Sequence, residues 1–277
     1  MKIKYLFTLL LSVLIIEIQT VKSQGYSELG AAGGVMYYMG ELNPYKPFLM
    51  PKAAGAFLYR YNFNDRLAIR AQGFMGMVQA DDAVSKANLE RNLNFKSRII
   101  EGSIQAEVNF LRYFIGSIKH RITPYMYGGV GFFTFKPQGF VNENWVELKP
   151  LHTEGQNTGR DRPDEYDLVS VCIPFGIGVK YSLNKYVGLG LEWGMRKTLT
   201  DYLDDVSRTY YMDLASNPNA PNTNEILASD PNKSHMDGMK RGNSKDKDWY
   251  SFAGLTVTVK LSSLKKEKCL NQQNYSY

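Results

Sequence analysis

The residues that could do chemistry are few and scattered. His120, His152 and His235 stand far apart, and none has a metal-ligand partner at local spacing. Asp201, Asp204 and Asp205 in TDYLDDVS are the oxygen ligands calcium takes, but they lack the spacing of a calcium-binding hand. A solvated acidic turn is the expectation there. Ser170, Ser207, Cys172 and Cys269 have no neighbouring base or nucleophile motif. Glu147, Glu154, Asp161, Asp164 and Glu165 crowd one stretch, where paired carboxylates could do acid–base work, but no motif frames them. Gly128-Gly129-Val130-Gly131 has the composition of a phosphate loop without its strand-to-helix context. The expectation is therefore no catalytic residue, no metal and no cofactor.

A second set of ionisable groups is more orderly. Glu28, Glu101, Glu107 and Glu192, with Arg60, Arg70, Lys180, Arg196 and Lys260, each interrupt a run in which apolar residues occupy every second position. In a strand, successive side chains point to opposite faces, so these charges share one face and the apolar residues the other. Charges on the inside of a narrow barrel are costly unless paired, and four acids against five bases are close to neutral. Two readings follow, an ion-selective pore or a salt-bridged plug. Eight strands leave an interior just wide enough for side chains, which favours the plug.

The elements that carry these residues are clearest between Asp167 and Thr200. Val169, Val171, Ile173, Phe175, Ile177, Val179 and Tyr181 alternate with Ser170, Cys172, Pro174, Gly176, Gly178 and Lys180. After a turn at Asn184-Lys185 the pattern resumes with Val187, Leu189, Leu191, Trp193 and Met195 against Gly188, Gly190, Glu192, Gly194 and Arg196. One face is greasy and the other mixes glycine with full charge, as in an outer-membrane strand with lipid on one side and a packed lumen on the other. A soluble sandwich, with strands of about five or six residues, fits less well. Six more strands are predicted: Ser27 to Gly40, Lys52 to Phe63, Arg66 to Val78, Arg98 to Phe110, Arg121 to Phe135 and Trp249 to Leu261. The fifth in chain order, from Arg121, is glycine- and aromatic-rich on both parities, so its faces stay unassigned. Pro174 cannot donate to a ladder, and a bulge is expected there.

The connections alternate. Short links join strands two to three, four to five and six to seven. Long ones run Glu41 to Pro51, Gln79 to Ser97, Lys136 to Tyr166 and Asp201 to Asp248. That parity predicts an all-β, eight-stranded antiparallel transmembrane barrel of the outer membrane, with long extracellular loops and both termini periplasmic. The last loop, with SNPNAPNTNE, reads as polar and disorder-like. Lys2 and Lys4 precede an apolar run from Tyr5 to Ile16, with small Ser23 beyond, so residues 1–23 are expected to be a signal peptide. Their removal lowers the net charge from +6 to +4, since Lys2, Lys4, Lys22 and Glu17 leave, and such mild basicity is no nucleic-acid footprint. Residues 24–262 then form the barrel and 263–277 a periplasmic tail.

Several blocks together resemble a known family: GGVMYYMGELNP, LYRYNFNDRLAIR, ERNLNFKSRIIE, RITPYMYGGVGFFTFKP, VELKPLHTEGQ, GLGLEWGMRKTLTDYLDDVS and RGNSKDKDWYSFAGLTVTVKL. The chain is similar to the PorG family, outer-membrane β-barrel components of the type IX secretion system of Bacteroidetes. The resemblance covers roughly Tyr26 to Leu261 and implies association with a periplasmic ring built from a PorK-like lipoprotein and a PorN-like partner. It implies no catalytic residue. Contact with an acidic partner would fall to the basic turns, at Arg112, Lys119, His120, Arg121 and Lys185. Outer-membrane lipids are the other expected partner. Two alternatives stand beside an accessory secretion component: a small transport or structural barrel, and a barrel enzyme, for which no Ser/His or Asp/His pair is in view.

Overall fold

The alternation read from the sequence becomes a continuous antiparallel ladder. A computed structural model describes residues 25–159 and 163–261, so the expected signal peptide and the tail from 263 lie outside the described residues. The strands are β1 Tyr26–Met39, β2 Lys52–Asn62, β3 Leu67–Asp81, β4 Asn94–Asn109, β5 Ile122–Val141, β6 Asn144–Glu147, β7 Val169–Ser182, β8 Val187–Thr198 and β9 Trp249–Leu261. Hydrogen-bonded neighbours run β4-β3-β2-β1-β9-β8-β7-β5, and β4 also pairs with β5. Every one of those eight strands therefore has two neighbours, and the sheet closes into the predicted eight-stranded barrel. The ninth, β6, pairs with the far end of β5 from Gln138 to Val141 and is no stave.

Burial follows parity. In β4 the pattern alternates without a break from Phe95 to Val108, with Ile100, Ile104 and Ala106 outward and Glu101, Ser103, Gln105 and Glu107 inward. The outward face of the other staves is likewise apolar and bare, with Phe57, Met75, Phe132, Ile177, Leu191 and Leu255 all exposed. A ring of exposed Leu, Ile, Phe and Val has no place in water and matches the lipid-facing band of a membrane barrel. No helix among the described residues is long and apolar enough to cross a membrane, and the strands do the crossing.

Three details differ from the sequence expectation. At Pro174 there is no bulge: β7 keeps one offset against β8 throughout, from Cys172↔Thr198 to Ser182↔Gly188. On the other side the ladder to β5 skips from Gly128↔Phe175 to Gly131↔Cys172 in unchanged register, so the proline faces the gap where a donor would be missed. Staves β3, β4 and β5 run beyond their predicted ends, which turns part of the expected long loops into extended sheet. The link from β4 to β5, expected to be a short turn, folds back under the barrel instead. It buries Tyr113 and Ile115 in the mouth. The Tyr113 amide donates to the Asp65 carbonyl (3.1 Å) and the Gly116 amide to Ser182 Oγ (2.8 Å). Gly116 has φ +96° with Lys185 backbone against it, a conformation that favours glycine.

The fifth stave also resolves. Odd residues Thr123, Tyr125, Tyr127, Phe133 and Phe135 point in, and Ile122, Met126, Val130 and Phe132 point out. Glycines on the neighbouring staves β7 and β8 make the room. A Cβ at Gly194 would sit 1.9 Å from the Tyr127 hydroxyl, and one at Gly178 would sit 2.6 Å from the Tyr125 ring.

Candidate functional site: a filled and capped lumen

Strand parity brings the inward charges together, and register sets who meets whom. Glu28 lies opposite Arg60, Arg60 opposite Arg70, and Ala68 opposite Glu107. Arg60 bridges Glu28 (Nη1–Oε2, 2.7 Å) and Glu107 (Nε–Oε2, 2.8 Å). Arg70 bridges Glu107 (3.2 Å) and, across the barrel, Glu192 (2.7 Å). Lys180 Nζ closes on Glu107 Oε2 at 2.5 Å and on Asn109 Oδ1 at 3.0 Å. Glu107 is thus the hub, with three cations on one carboxylate. Nearer the loop end, Arg196 meets Glu101 at 3.3 Å, and the Tyr250 hydroxyl donates to the same carboxylate at 2.9 Å.

Aromatic rings fill the space between these pairs. The Arg70 guanidinium lies 4.5 Å over Tyr127, Lys180 4.4 Å over Tyr125 and Arg196 5.0 Å over Phe74, so each cation is held against a π-face as well as a carboxylate. Tyr125 also donates to Glu192 Oε2 at 2.7 Å. Arg60, Tyr113, Tyr125 and Lys180 border a narrow gap between these pairs. One predicted member is absent from the network. Lys260, although opposite Glu28 in register, is half-buried at the mouth, with its ammonium 4.9 Å over the Tyr26 ring. Its stem lies along that ring and makes none of the lumen ion pairs described. Without it, four carboxylates face four cations and the balance closes.

Above the charges the lumen turns apolar. Met36, Tyr38, Val78, Phe95, Ile99, Phe133, Phe135, Tyr250 and Phe252 form a buried cluster. Leu203 and Val206 enter it from the β8–β9 loop, which folds down as a cap. The polar, disorder-like reading of this loop is overturned for its described residues. It carries a helix over Asn224–Ser229, and Asp201, Asp204 and Asp205 are buried rather than solvated. Two arginines missed by sequence reasoning hold it. Arg241 donates to Glu154 Oε1 (3.1 Å) and to the carbonyls of Asp205 (2.6 Å) and Ala228 (3.2 Å). Arg91 pairs with Asp82 (2.7 Å) and reaches the carbonyls of Glu41 (3.0 Å) and Arg241 (2.9 Å). Both sit in the quoted blocks ERNLNF and RGNSKDKDWY, but nothing in local spacing marks them as clamps. Burial drives the cap acids upward. Asp205 is raised to about 6 by burial, with Arg241, Thr153 and Tyr166 partly offsetting it. Asp201 is raised to about 7 by burial, with Ser207 offsetting and the Glu41 charge adding.

The other chemical candidates find structural partners. His235 stacks on Tyr210 with ring centroids 4.1 Å apart and meets Asp230 at 3.0 Å, while His120 is exposed at the opposite end. The Ser207 hydroxyl donates to Asp201 (2.6 Å) and its amide to Glu154 (2.8 Å). Cys172 is buried beside the Tyr250 hydroxyl, and Cys269 lies outside the described residues. Glu147 pairs with Lys136 and Glu165 with Lys149, and Asp161 lies outside the described residues. The predicted contact residues Arg112, Lys119, His120, Arg121 and Lys185 do gather at one end, all exposed on the β4–β5 and β7–β8 links, with Ile118 at 81% exposure among them. Arg112 is partly engaged there by Asp65, at 3.3 Å.

A closed eight-stranded antiparallel barrel with an apolar exterior and a packed, charge-balanced interior defines an outer-membrane β-barrel protein. By sequence, the chain belongs to the DUF6089 family, a domain of unknown function, whose model matches residues 4–216. No curated protein matches the sequence. Among solved structures, the chain is similar to Ail, the attachment invasion locus protein of Yersinia pestis, in complex with the heparin analogue sucrose octasulfate. That match has a TM-score of 0.41 and 9% identity, and covers 86% of this chain and 100% of that one. OprG of Pseudomonas aeruginosa gives 0.39 and 11%, covering 88% and 100%. Neisserial surface protein A gives 0.38 and 11%, covering 86% and 98%. The closed ladder itself, rather than these distant likenesses, defines the fold.

Proposed function

We propose that this chain is a non-catalytic outer-membrane component of the type IX protein secretion machinery, which anchors or organises a periplasmic ring of PorK-like and PorN-like proteins. The observation that carries the reading is the lumen. Ion pairs, aromatic rings and the loop cap fill it from above, and Tyr113 and Ile115 close it from below. A barrel with no passage has little means of moving a solute. It is a rigid way to hold a position in a membrane. The resemblance of several sequence blocks to the PorG family supports this machine as the setting. The exposed basic turns at Arg112, Lys119, His120, Arg121 and Lys185 suit an acidic partner on the periplasmic side.

The test is genetic and biochemical together. Deleting the chain is expected to abolish type IX cargo secretion while the outer membrane stays otherwise intact. Reversing charge at Arg112, Lys119, Arg121 and Lys185 together is expected to weaken co-purification of the ring without unfolding the barrel. Normal secretion by the deletion strain, with no ring protein recovered on the tagged chain, would sink the assignment whatever the fold.

A further inference from the structure

The outer wall of the barrel changes character abruptly toward the loop end of β4 and β5. Outward positions on β4 are apolar from Phe110, just past its end, to Ile100, and the next two are Arg98 and Lys96. The ten steps from Phe110 to Ile100 rise ~33 Å of strand, or ~25 Å along the axis at a tilt of ~40°. That is the height of the apolar band of an outer-membrane barrel, so Arg98 and Lys96 stand at the headgroup level just beyond it. Trp145 lies half-buried at the same rim, where an aromatic girdle is expected.

Register then crowds like charges. Arg98 lies directly opposite Lys136 on β5, both outward and exposed, and Lys96 is the next outward residue along β4. Strand geometry holds the three Cα atoms within ~8 Å of one another. Like charges facing each other across a ladder destabilise it. Lys136 is offset by Glu147 at 2.5 Å, and Lys96 holds its ammonium 4.1 Å over the Trp145 ring. Arg98 has a weaker partner: its Nη2 lies 3.4 Å from Met75 Sδ, and it makes no ion pair among the described residues. The carboxylate of Asp81, at the loop end of β3, accepts from the Ala83 and Val84 amides instead. The guanidinium thus stands beside two ammonium groups with no anion of its own.

The chemistry of the missing anion follows from the donors and from what lies beneath them. Arginine grips a phosphate through two parallel N–H···O bonds, and lysines add point charge around it. Directly below the cations the wall is bare Ile100, Phe132 and Val130, a surface for acyl chains. Cations at the headgroup level above an apolar wall are the layout of a lipid site rather than of a free-phosphate site. We propose that Lys96, Arg98 and Lys136, bordered by Trp145, bind the phosphate of a glycolipid in the leaflet at the loop end of the barrel. A seated phosphate would neutralise the facing Arg98 and Lys136. The glycolipid rests on the reading that the long loops face outward, because the outer leaflet of an outer membrane carries phosphorylated glycolipid. It does not depend on what the barrel anchors.

The experiment uses the full chain refolded in detergent micelles, with its boiling-dependent gel shift confirmed. It is titrated with diphosphoryl lipid A, and bound lipid is counted by native mass spectrometry. Dephosphorylated lipid A, phosphatidylglycerol and inorganic phosphate are titrated in parallel. Saturable binding of one diphosphoryl lipid A per chain is expected, with each of the other three at least ten-fold weaker. Lys96→Gln, Arg98→Gln and Lys136→Gln together are expected to weaken lipid A at least ten-fold. Removing the same number of charges from the exposed loop residues Lys86, Lys240 and Lys245 is expected to change it less than two-fold. If the rim variant does not fold, Arg98→Gln alone and the lipid series on the unmodified chain decide. No saturable binding, equal binding of dephosphorylated lipid A or of phosphatidylglycerol, or equal loss in the two triple variants would each overturn the proposal.

Discussion

Glu107 carries more of the lumen than any other single residue, because Arg60, Arg70 and Lys180 all neutralise against it. Replacing it removes one carboxylate and leaves three buried cations short of a partner. Breaking a buried pair from one side costs about 3–5 kcal/mol. Glu107→Leu is therefore expected to lower unfolding stability by about that much, read from the urea midpoint of the heat-modifiable band. Lys260→Leu, at the half-buried mouth, is expected to change it by under about 1 kcal/mol. Equal effects would mean that the network is not the unit described. Parity alone identified Glu28, Arg60, Arg70, Glu101, Glu107, Lys180, Glu192 and Arg196 as co-facial, since a strand offers only two faces. It also admitted Lys260, because parity says which way a side chain points and nothing about depth.

At the scale of elements, the staves were legible and the cap was not. In β7 and β8 the outward residues are greasy and the inward ones small or charged, so a period of two stands out. In β5 both faces are apolar, with Tyr125 and Phe133 inside and Met126 and Phe132 outside, and the contrast that reveals a strand face vanishes. The cap has no period at all. Its order comes from Arg91 and Tyr38, which reach it from distant segments, and from Arg241, which folds back onto the loop's own carbonyls, while its composition reads as disorder.

The buried acids of the cap also give it an unusual pH response. Asp201 titrates at about 7 and Asp205 at about 6 when folded, above the ordinary carboxylate range of the unfolded chain. Between those limits the folded state holds protons that the unfolded state has lost, so stability falls as pH rises. The groups facing Asp201 are Ser207, Glu41, Lys247, Glu154 and Asp248, and those facing Asp205 are Arg241, Thr153, Tyr166 and Glu154. In EDTA, proteolysis of the loop between Leu199 and Asp248 is expected to be faster at pH 8 than at pH 5, after correction for protease activity. Faster cutting at pH 5 would reverse the sign and contradict the buried, protonated acids.

At the scale of the whole molecule, the decisive property is that side chains and the loop cap fill the barrel's interior. Ion pairs and aromatic rings pack the middle of the axis, the loop cap covers one end, and Tyr113 and Ile115 are buried in the other mouth. The central claim, a rigid membrane-held body rather than a conduit, is tested most directly by conductance. Refolded full-length chain, with its heat-modifiable mobility confirmed, is inserted into planar bilayers and held at steady voltage. No sustained opening above the baseline of empty membranes is the predicted result. Stable, nanosiemens-scale steps from the unmodified chain would contradict it, and would return the charged interior to the role of an ion-selective pore.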